Sequence, residues 1–518
     1  MKTLKLLPIL ISLFFLNFNG NSQTFFQKTY AGIEYDRGNS VQQTLDGGYI
    51  VVGVEYSFGA GGRDVFLIKT DATGDTLWTR SFGGTGDDYG MSVKQTTDKG
   101  YIVVGYTNSF GQGLDDVYLI KTDSLGNLLW SKTYGGINFD FGSSVQQTSE
   151  GGYIVVGATA SFGSGNYDVY LIKTNSTGDT LWTKTLGGSA LDEGISAQQT
   201  NDGGYIIAGT TLSFSVGNYS AYLNKIDANG NVLWAKTYST SGSEEVHQMQ
   251  LTDDGGYIIA GGIFIGPTIT LSSIFKTNSS GDFLWAKNYS NGGSNSVQET
   301  TDKGYILTGS EGNLAFLIRT DSVGDTIWTK SFQGLNNYAN GSFVQQTTDN
   351  GFIVAGSTHK FGAGDPVYLI KTDSNGNSCI QNYFSTTITT PVYTVNNAVS
   401  LTSHGGITGN PATINNFGGD IFDICSHVGI EPNIKSKNAL MIYPDPFSSE
   451  TTLETDKVLT NAFLMVYTMQ GQLVKKIKNI NGHTVTLHRD NLATGIYYVQ
   501  LIQDNDTYDT ERFIITDE

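Results

Sequence analysis

The sequence predicts an all-β protein: a seven-bladed β-propeller followed by a small immunoglobulin-like (Ig-like) β-sandwich C-terminal domain. The prediction rests on an internal repeat that extends from about residue 24 to residue 378. One column of the repeat holds all six tryptophans, at Trp78, Trp130, Trp182, Trp234, Trp285 and Trp328. A second column holds a Gly-aromatic pair seven times, with the aromatic residue at Tyr49, Tyr101, Tyr153, Tyr205, Tyr257, Tyr305 and Phe352. Seven such units match seven blades.

Each repeat contains four short segments with strand character. In the second repeat these are residues 92–96, 101–105, 116–121 and 128–134, separated by turns rich in Gly, Asp and Asn. Four hairpin-linked strands per unit are typical of a propeller blade, because radial closure protects the sheet edges.

The two ends of the repeat region predict how the ring closes. The seventh repeat lacks its Leu-Trp strand, and residues 25–30 at the start of the region resemble that missing strand. We therefore expect residues 25–30 to complete the last blade as its outer strand. An open solenoid would instead need polar capping units.

The first 22 residues have the pattern of a secretory signal peptide. Lys2 and Lys5 precede an apolar run over residues 6–16, and small residues precede the expected cleavage site before Gln23. The apolar run is about half the roughly 20 residues that a membrane span needs. We therefore expect a secreted protein without a transmembrane anchor.

Residues 23–378 form the predicted propeller, and residues 379–437 form a predicted linker rich in Ser, Thr and Asn. Cys379 and Cys425 lie near the ends of this linker, and in an exported chain we expect them to form a disulfide. Two unpaired thiols are the alternative. Residues 438–518 contain six or seven short strand segments and form the second predicted domain.

The formal net charge of −18 limits the class of partner. Nucleic acids bind clustered Lys and Arg residues, so we expect no nucleic-acid partner. The histidines show no metal-ligand spacing, and no phosphate loop, nucleophile elbow or histidine-glutamate metal motif occurs. The sequence therefore predicts neither a catalytic site nor a metal site.

The turn before each tryptophan resembles the Asp-box hairpins of sialidases and the tryptophan docking hairpins of quinoproteins. In those hairpins the Asp or Asn caps a turn, as predicted here for Asp71, Asp123, Asn175, Asp227 and Asp321. We expect the six tryptophans to pack between adjacent blades. A sialidase is disfavoured because the propeller lacks an arginine triad. A third column of basic residues, from Lys69 to Lys371, predicts one structural salt bridge per blade.

Five carboxylates, at Asp36, Asp88, Asp140, Glu193 and Glu245, precede or begin the innermost strands of five blades. We expect them to form a partial acidic ring around one mouth of the central channel, where they would bind a cation or repel an anion. The alternative is that each carboxylate bonds to the loop backbone of its own blade. No cofactor is expected; calcium at such carboxylates is the one exception that the sequence leaves open.

Aromatic residues recur in the loops of five blades, at Phe58, Phe110, Phe162, Phe214 and Phe361. They are candidates for stacking on a ligand. Their repetition favours the alternative, a packing role.

The C-terminal domain resembles the type A C-terminal sorting domains of type IX secretion in the Bacteroidota. Four segments carry this resemblance, at residues 442–447, 469–474, 492–499 and 512–515. Within them the matching residues are Tyr443, Pro444, Pro446, Gly471, Gly495, Tyr497 and Arg512. The resemblance implies export by the general secretory route, then recognition by the type IX translocon and cleavage by its sortase. The product would be released or attached to the cell surface.

Two hypotheses for function follow. The first is a surface-exposed binding or adhesion protein whose ligand is a glycan or a protein. The second is a polysaccharide hydrolase or lyase that uses channel-mouth carboxylates as general acid and base. One blade with a private cluster of His, Arg, Glu and Tyr would favour an enzyme, whereas near-identical blades favour the binding protein.

Overall fold

The computed structural model describes residues 25–31, 35–56, 59, 61–266, 269–289, 292–359, 364–383, 386–398, 401–403, 407–409, 420–423, 441–443, 447–468, 473–503 and 506–517. The chain divides into two compact units, Met1–Val428 and Gly429–Glu518. The predicted signal peptide lies outside the described residues. No helix in the described ranges is long and apolar enough to cross a membrane.

The first unit is a seven-bladed propeller of antiparallel sheets, as predicted. Blades one to three contain β2 (Arg37–Gln43), β3 (Tyr49–Glu55), β4 (Asp64–Thr70), β5 (Thr76–Phe82), β6 (Asp88–Gln95), β7 (Tyr101–Thr107), β8 (Asp116–Thr122), β9 (Leu128–Gly135), β10 (Asp140–Gln147), β11 (Tyr153–Thr159), β12 (Asp168–Thr174) and β13 (Thr180–Gly187). Blades four and five contain β14 (Asp192–Gln199), β15 (Tyr205–Thr211), β16 (Ser220–Ile226), β17 (Val232–Ser239), β18 (Ser243–Leu251), β19 (Tyr257–Ile265), β20 (Ile269–Thr277) and β21 (Phe283–Tyr289). Blades six and seven contain β22 (Gly293–Glu299), β23 (Tyr305–Glu311), β24 (Leu314–Thr320), β25 (Thr326–Phe332), a 3-10 turn (Leu335–Asn337), β26 (Ala339–Gln346), β27 (Phe352–Thr358) and β28 (Val367–Thr372).

The N-terminal strand closes the ring. Strand β1 (Phe26–Ala31) pairs with β28, in a register that places Phe26 opposite Lys371 and Tyr30 opposite Val367. This confirms the prediction that the first segment completes the seventh blade. Phe26 takes the position that tryptophan occupies in the other blades, and its ring lies 6.0 Å from that of Tyr49 in blade one.

The hydrophobic core lies between neighbouring blades. The two central strands of a blade are buried along their whole length, as in β3 and β4, so their Val, Ile and Leu residues contact blades on both sides. One cluster combines Ile50 and Leu67 of blade one with Tyr101 and Ile120 of blade two. Each blade therefore shares its core with its neighbours.

Several described segments of the predicted linker belong to the sheets of the propeller. After a bridge between Asn382 and Ser331 of blade six, five short strands add to the outer edges of blades. These are β29 (Ile388–Thr389) on β21, β30 (Thr394–Asn397) on β17, β31 (Leu401–Ser403) on β13, β32 (Ile407–Gly409) on β9 and β33 (Asp420–Asp423) on β1. We call residues 382–423 the belt, because they pass around the ring in reverse blade order and end on blade seven.

Apolar side chains anchor the belt. The ring of Tyr393 lies 5.2 Å from that of Phe275 and 5.5 Å from that of Phe283, and Ile380 packs against the core between blades six and seven. Cys379 is disulfide-bonded, and the chain holds one other cysteine, Cys425, which lies outside the described residues. Cys379 follows the last strand of blade seven, and Cys425 follows β33 on the same blade, so a bond between them joins the two ends of the belt.

The second unit is a separate all-β domain. It contains β34 (Met441–Tyr443), β35 (Glu450–Thr468), β36 (Leu473–His488), β37 (Gly495–Gln503) and β38 (Asp506–Ile515), in the order β34-β35-β37-β38 with β36 also on β35. Its antiparallel sheet encloses its own core, which includes Phe447, Leu464, Val499 and Phe513. The sandwich class is as predicted.

The dipeptide Asn481-Gly482 is typical of a turn between two strands, but here it lies inside the single strand β36. The pairing of β35 with β36 shifts register between Glu454 and Leu464, and Gly482 has a φ of 98°. The glycine therefore marks an irregularity in a long strand and not the end of one.

Candidate functional site

The six tryptophans lie between blades. Each ring contacts the aromatic residue of the Gly-aromatic pair in the following blade, with ring centroids 5.7 to 6.3 Å apart. The Asp or Asn of each preceding turn caps the backbone: Asp123 Oδ1 accepts hydrogen bonds from the N–H groups of Leu125 and Asn127 at 2.8 and 2.9 Å. These repeated residues hold the ring together and offer no ligand a distinct contact.

The basic column forms one ion pair per blade. Lysine Nζ lies 2.9 Å from a carboxylate oxygen in five blades and 3.4 Å in blade three, and Arg319 contacts Asp302 in blade six. The pairs are Lys69–Asp46, Lys121–Asp98, Lys173–Glu150, Lys225–Asp202, Lys276–Asp254, Arg319–Asp302 and Lys371–Asp349. Each pair links the third strand to the first turn of its own blade, as predicted.

The structure does not bring the five predicted carboxylates into one ring. Asp88 is buried and accepts hydrogen bonds from the Gly84 N–H at 2.9 Å and the Ser109 hydroxyl at 2.6 Å. Asp140 accepts one from the Gly136 N–H at 2.7 Å, and Asp36 is equally buried. These three therefore stabilise the loops that enter the inner strands.

Strand register also corrects the column itself. Asp192 pairs with Thr211 as Asp88 pairs with Thr107, so Asp192, and not Glu193, is equivalent to Asp88. The same comparison of register shows that Glu244, and not Glu245, is the blade-five residue equivalent to Asp88. Glu193 and Glu245 lie one residue further along, and burial together with the charge of Glu245 raises the pKa of Glu193. These two carboxylates are the part of the predicted ring that stays partly exposed.

A second buried aspartate accompanies the acidic column. Burial, with the nearby charges of Asp140 and Asp115, raises the pKa of Asp116 to about 7. An acid whose pKa is raised on folding stabilises the fold fully below its unfolded pKa of about 4. This stabilisation is lost as the pH rises towards 7.

We therefore expect Asp116→Asn to raise the melting temperature at pH 8 and to leave it unchanged at pH 4. The asparagine oxygen still accepts the Gln112 N–H that Asp116 accepts at 2.5 Å. The gain is of order 1–3 kcal/mol at pH 8. Thermal melts between pH 4 and 8 measure it. Asp123→Asn is the matched control, because blade three has Asn175 there; an equal gain in this control would contradict the assignment to Asp116.

Six aromatic side chains form a row across the face of the propeller on which the inner strands begin. We call Tyr56, Tyr89, Tyr106, Phe139, Phe141 and Tyr167 the aromatic row. Successive ring centroids lie 4.5 Å apart for Tyr89–Tyr106, 4.9 Å for Tyr106–Phe141, 6.0 Å for Phe141–Tyr167 and 6.0 Å for Phe139–Phe141. The row spans blades one to three.

Arg63 holds one end of the row in place. Its guanidinium lies 5.4 Å from the ring centroid of Tyr56 and 5.5 Å from that of Tyr89. It also donates hydrogen bonds to the Tyr89 hydroxyl at 2.6 Å and to the Asp87 carboxylate at 3.3 Å. A planar cation between two rings fixes their orientation before any ligand binds.

The aromatic row is accessible to solvent. Tyr56 is 43% exposed and Phe139 is 38% exposed, while the other four rings are half-buried. Burial and neighbouring negative groups raise the pKa of Tyr106 to about 12, so its hydroxyl remains a neutral donor and acceptor at physiological pH. Exposed aromatic groups in contact with one another are typical of binding surfaces.

The sequence contains a signal for this row that the prediction missed. The position that follows the acidic column differs in almost every blade, at Arg37, Tyr89, Phe141, Glu193, Glu245, Gly293 and Asn340, although the flanking positions recur. Tyr106 corresponds to Ala158 in blade three and to Thr210 in blade four. Variation within an otherwise constant repeat is therefore the sequence signal that distinguishes this face from the rest of the ring.

The aromatic residues that were proposed as stacking platforms lie elsewhere. Phe110, Phe162 and Phe214 pack against Tyr118, Tyr170 and Tyr222 of their own blades, with centroids 5.4 to 5.8 Å apart. Phe58 and Phe361 lie outside the described residues. The packing alternative therefore fits the three described members.

The sorting-signal residues are described in part. Tyr443 donates a hydrogen bond to Glu454 at 2.8 Å, and Gly495 has a φ of 154° at the start of β37. Tyr497 is buried and stacks on Phe513 with ring centroids 5.6 Å apart. The structure describes only the backbone of Arg512, which pairs with Tyr498. Pro444, Pro446 and Gly471 lie outside the described residues.

Within the described ranges, no three His, Cys, Asp or Glu side chains come together as metal ligands would. Residues 441–516 match the family described as the secretion system C-terminal sorting domain. A curated relative, the regulatory protein FlaEY of Caulobacter vibrioides, is 25% identical in an alignment over 263 residues that covers 43% of this chain and 27% of that protein. The chain thus matches little more than a quarter of that relative.

Solved structures resemble the fold only distantly. A fungal alcohol oxidase in complex with copper has a TM-score of 0.38 and 10% identity, with 96% of this chain and 100% of that chain covered. Drosophila Plexin A in complex with Semaphorin 1b has a TM-score of 0.38 and 9% identity, with 68% and 88% covered. Similarities of this size transfer no function to this chain.

Proposed function

Because this protein is cargo of the type IX secretion system and reaches the cell surface or the extracellular space, we propose that it is a binding protein whose aromatic row contacts a glycan. The aromatic row is the single observation that carries this proposal. It is exposed, it is held in place by Arg63, and it interrupts the symmetry of the ring over three adjacent blades.

A glycan suits the row better than a compact apolar ligand does. The rings lie along an open surface, and an extended chain of sugar units can place the C–H groups of its rings on successive aromatic faces. Asp87, Glu193 and the tyrosine hydroxyls lie beside the rings and can bond to sugar hydroxyls. An extended neutral chain with apolar ring faces and polar edges therefore fits the geometry.

Polysaccharide cleavage is a second candidate, and one pair of side chains favours it. Glu193 and Glu245 begin neighbouring inner strands, and the pKa of Glu193 is raised by burial and by the charge of Glu245. A carboxyl group with a raised pKa beside a second carboxylate can supply the general acid and the general base of such a reaction. Release of new reducing ends that Glu193→Gln abolishes would establish this function.

The decisive variant for binding is Tyr106→Ala. Blade three has Ala158 at the equivalent position, so the blade tolerates the change, while the row loses its central ring. We expect glycan-array binding by the full secreted chain to weaken at least about tenfold, as for a central aromatic contact residue. Titration calorimetry with the best glycan of the array gives the affinity.

Tyr383→Ala is the matched control, since Tyr383 is 75% exposed but lies next to the belt bridge on blade six. This control should bind as the unmodified chain does. Unchanged glycan affinity in Tyr106→Ala would exclude the aromatic row as the binding surface. An array on which no glycan binds the unmodified chain would refute the glycan proposal itself.

A further inference from the structure

The axis of the propeller holds a cavity of about 640 Å³ that the inner strands of all seven blades surround. Its lining includes three basic side chains, Arg37, Lys94 and His247, together with several serines and asparagines. No Asp or Glu is among the described residues that line it. In a chain with a net charge of −18, this cavity therefore has the opposite charge to the protein as a whole.

One position of the inner strand forms a ring of seven polar side chains, and three of them, Lys94, Gln146 and Gln198, line the cavity. The position is glutamine in six blades and lysine in blade two: Gln42, Lys94, Gln146, Gln198, Gln250, Gln298 and Gln345. Each of the six glutamines uses its Oε1 to accept a backbone N–H of the next inner strand, at 2.5 to 2.8 Å. These bonds link each blade to the next one. The exception is the step from blade two to blade three, because Lys94 has no amide oxygen.

The bonds also fix the direction of the six amides. Each Oε1 accepts a hydrogen bond from the next blade, so the Nε2 group can still donate to another molecule. Among the described residues, no acceptor for these Nε2 groups occurs. A carboxamide donates only through that nitrogen. Gln146 and Gln198 therefore present amide N–H donors to the cavity beside Lys94.

Lys94 is the only charged member of this ring. Its Nζ lies 5.3 Å from the ring centroid of Phe343, and within the described part of the chain it has no carboxylate partner. The seven basic residues of the third-strand column are all paired with an acid, and Lys94 differs from them because no described carboxylate pairs with it. Burial lowers the pKa of Lys94, as expected for a desolvated ammonium without a counterion.

Phe343 departs from its own column as well. The equivalent position is serine in five of the other blades, at Ser40, Ser92, Ser144, Ser196 and Ser296. The two departures, Lys94 and Phe343, are in contact across the channel. A paired change on a shared cavity wall indicates a local site and not a random loss of symmetry.

We propose that the central channel binds an oxyanion, as a carboxylate or sulfate group whose charge pairs with Lys94 and whose oxygens accept N–H bonds from the amides of Gln146 and Gln198. An anion there offsets the cost of the buried unpaired ammonium. The group belongs either to a free oxyanion or to an acidic sugar. This site is separate from the aromatic row, and it does not rest on the proposed glycan binding.

The test compares Lys94→Gln with Lys99→Gln in the full secreted chain. Lys94→Gln introduces the residue that the other six blades have at this position, and its amide oxygen can accept the Gln147 N–H. We therefore expect this variant to fold as the unmodified chain does. Lys99→Gln removes the same charge from an exposed turn of the same blade. Titration calorimetry uses sodium sulfate, sodium D-galacturonate and neutral D-galactose at constant ionic strength in chloride buffer.

We expect the unmodified chain and Lys99→Gln to bind an oxyanion saturably at one site, with no binding of galactose. Lys94→Gln should bind it at least about tenfold more weakly, as for the loss of a charge-assisted hydrogen bond. Binding of both sulfate and galacturonate assigns the site to free oxyanions, and binding of galacturonate alone assigns it to acidic sugars. No saturable binding of either anion, or equal affinity in Lys94→Gln, would overturn the proposal.

Discussion

Removal of residues 441–518 is expected to abolish delivery to the cell surface. This segment contains the sorting-domain match over residues 441–516, and it belongs to a compact unit with its own hydrophobic core. The truncated chain should accumulate inside the outer membrane. Fractionation of a host with a type IX system, followed by detection of the propeller in medium, surface and periplasm, measures the effect.

A point variant tests whether export requires the domain to be folded and not only to be present in the chain. Phe513 is fully buried and contacts both Phe447 and Tyr497, so Phe513→Ala should destabilise the domain by about 3–5 kcal/mol and reduce export strongly. Tyr498→Ala is the control, because Tyr498 is 41% exposed on the neighbouring strand β37. Surface delivery of the truncated chain at the normal level would show that export does not depend on this domain.

Loss of the disulfide at Cys379 is expected to give the largest change in stability of the propeller. A bond to Cys425 closes a loop of 46 residues that contains the whole belt. For a loop of this length, the chain-entropy relation gives about 4 kcal/mol. Because the belt strands are two to four residues long, they have few hydrogen bonds of their own to compensate.

The measurement is a thermal melt of the full chain, with and without reductant, beside Cys379→Ser. Both reduction and substitution should lower the melting temperature and expose the belt to limited proteolysis. Reductant should have no further effect on Cys379→Ser, which serves as the internal control. An unchanged melting temperature would mean that the strand pairs alone hold the belt.

Repetition in the sequence made most of the fold predictable. Seven copies of one pattern fixed the number of blades, the strand that closes the ring, the salt bridge of each blade and the position of the tryptophans. Errors arose where the copies differ. Glu193 was aligned with Asp140 because acidic residues are adjacent there, and only the pairing of Asp192 with Thr211 identifies the equivalent residue.

The candidate site was less predictable, since it depends on residues that are distant in the sequence. Arg63 and Tyr89 are 26 residues apart, and Lys94 and Phe343 are far further, yet both pairs are in contact. In the sequence alone, each of these four residues appears as an isolated deviation from the repeat. The radial arrangement turns such deviations into neighbours, because equivalent positions of all blades converge on one axis.

The sequence by itself determined the all-β class, the seven blades and the sorting domain, because each depends on local patterns of strand, turn and repeat. Only the tertiary structure decided the belt, the aromatic row and the basic character of the channel. A belt strand of two to four residues has too few side chains to show a period, and it pairs through backbone atoms that every residue carries. The charge of the channel depends on which side chains converge on the axis and which carboxylates are already held by loop backbone.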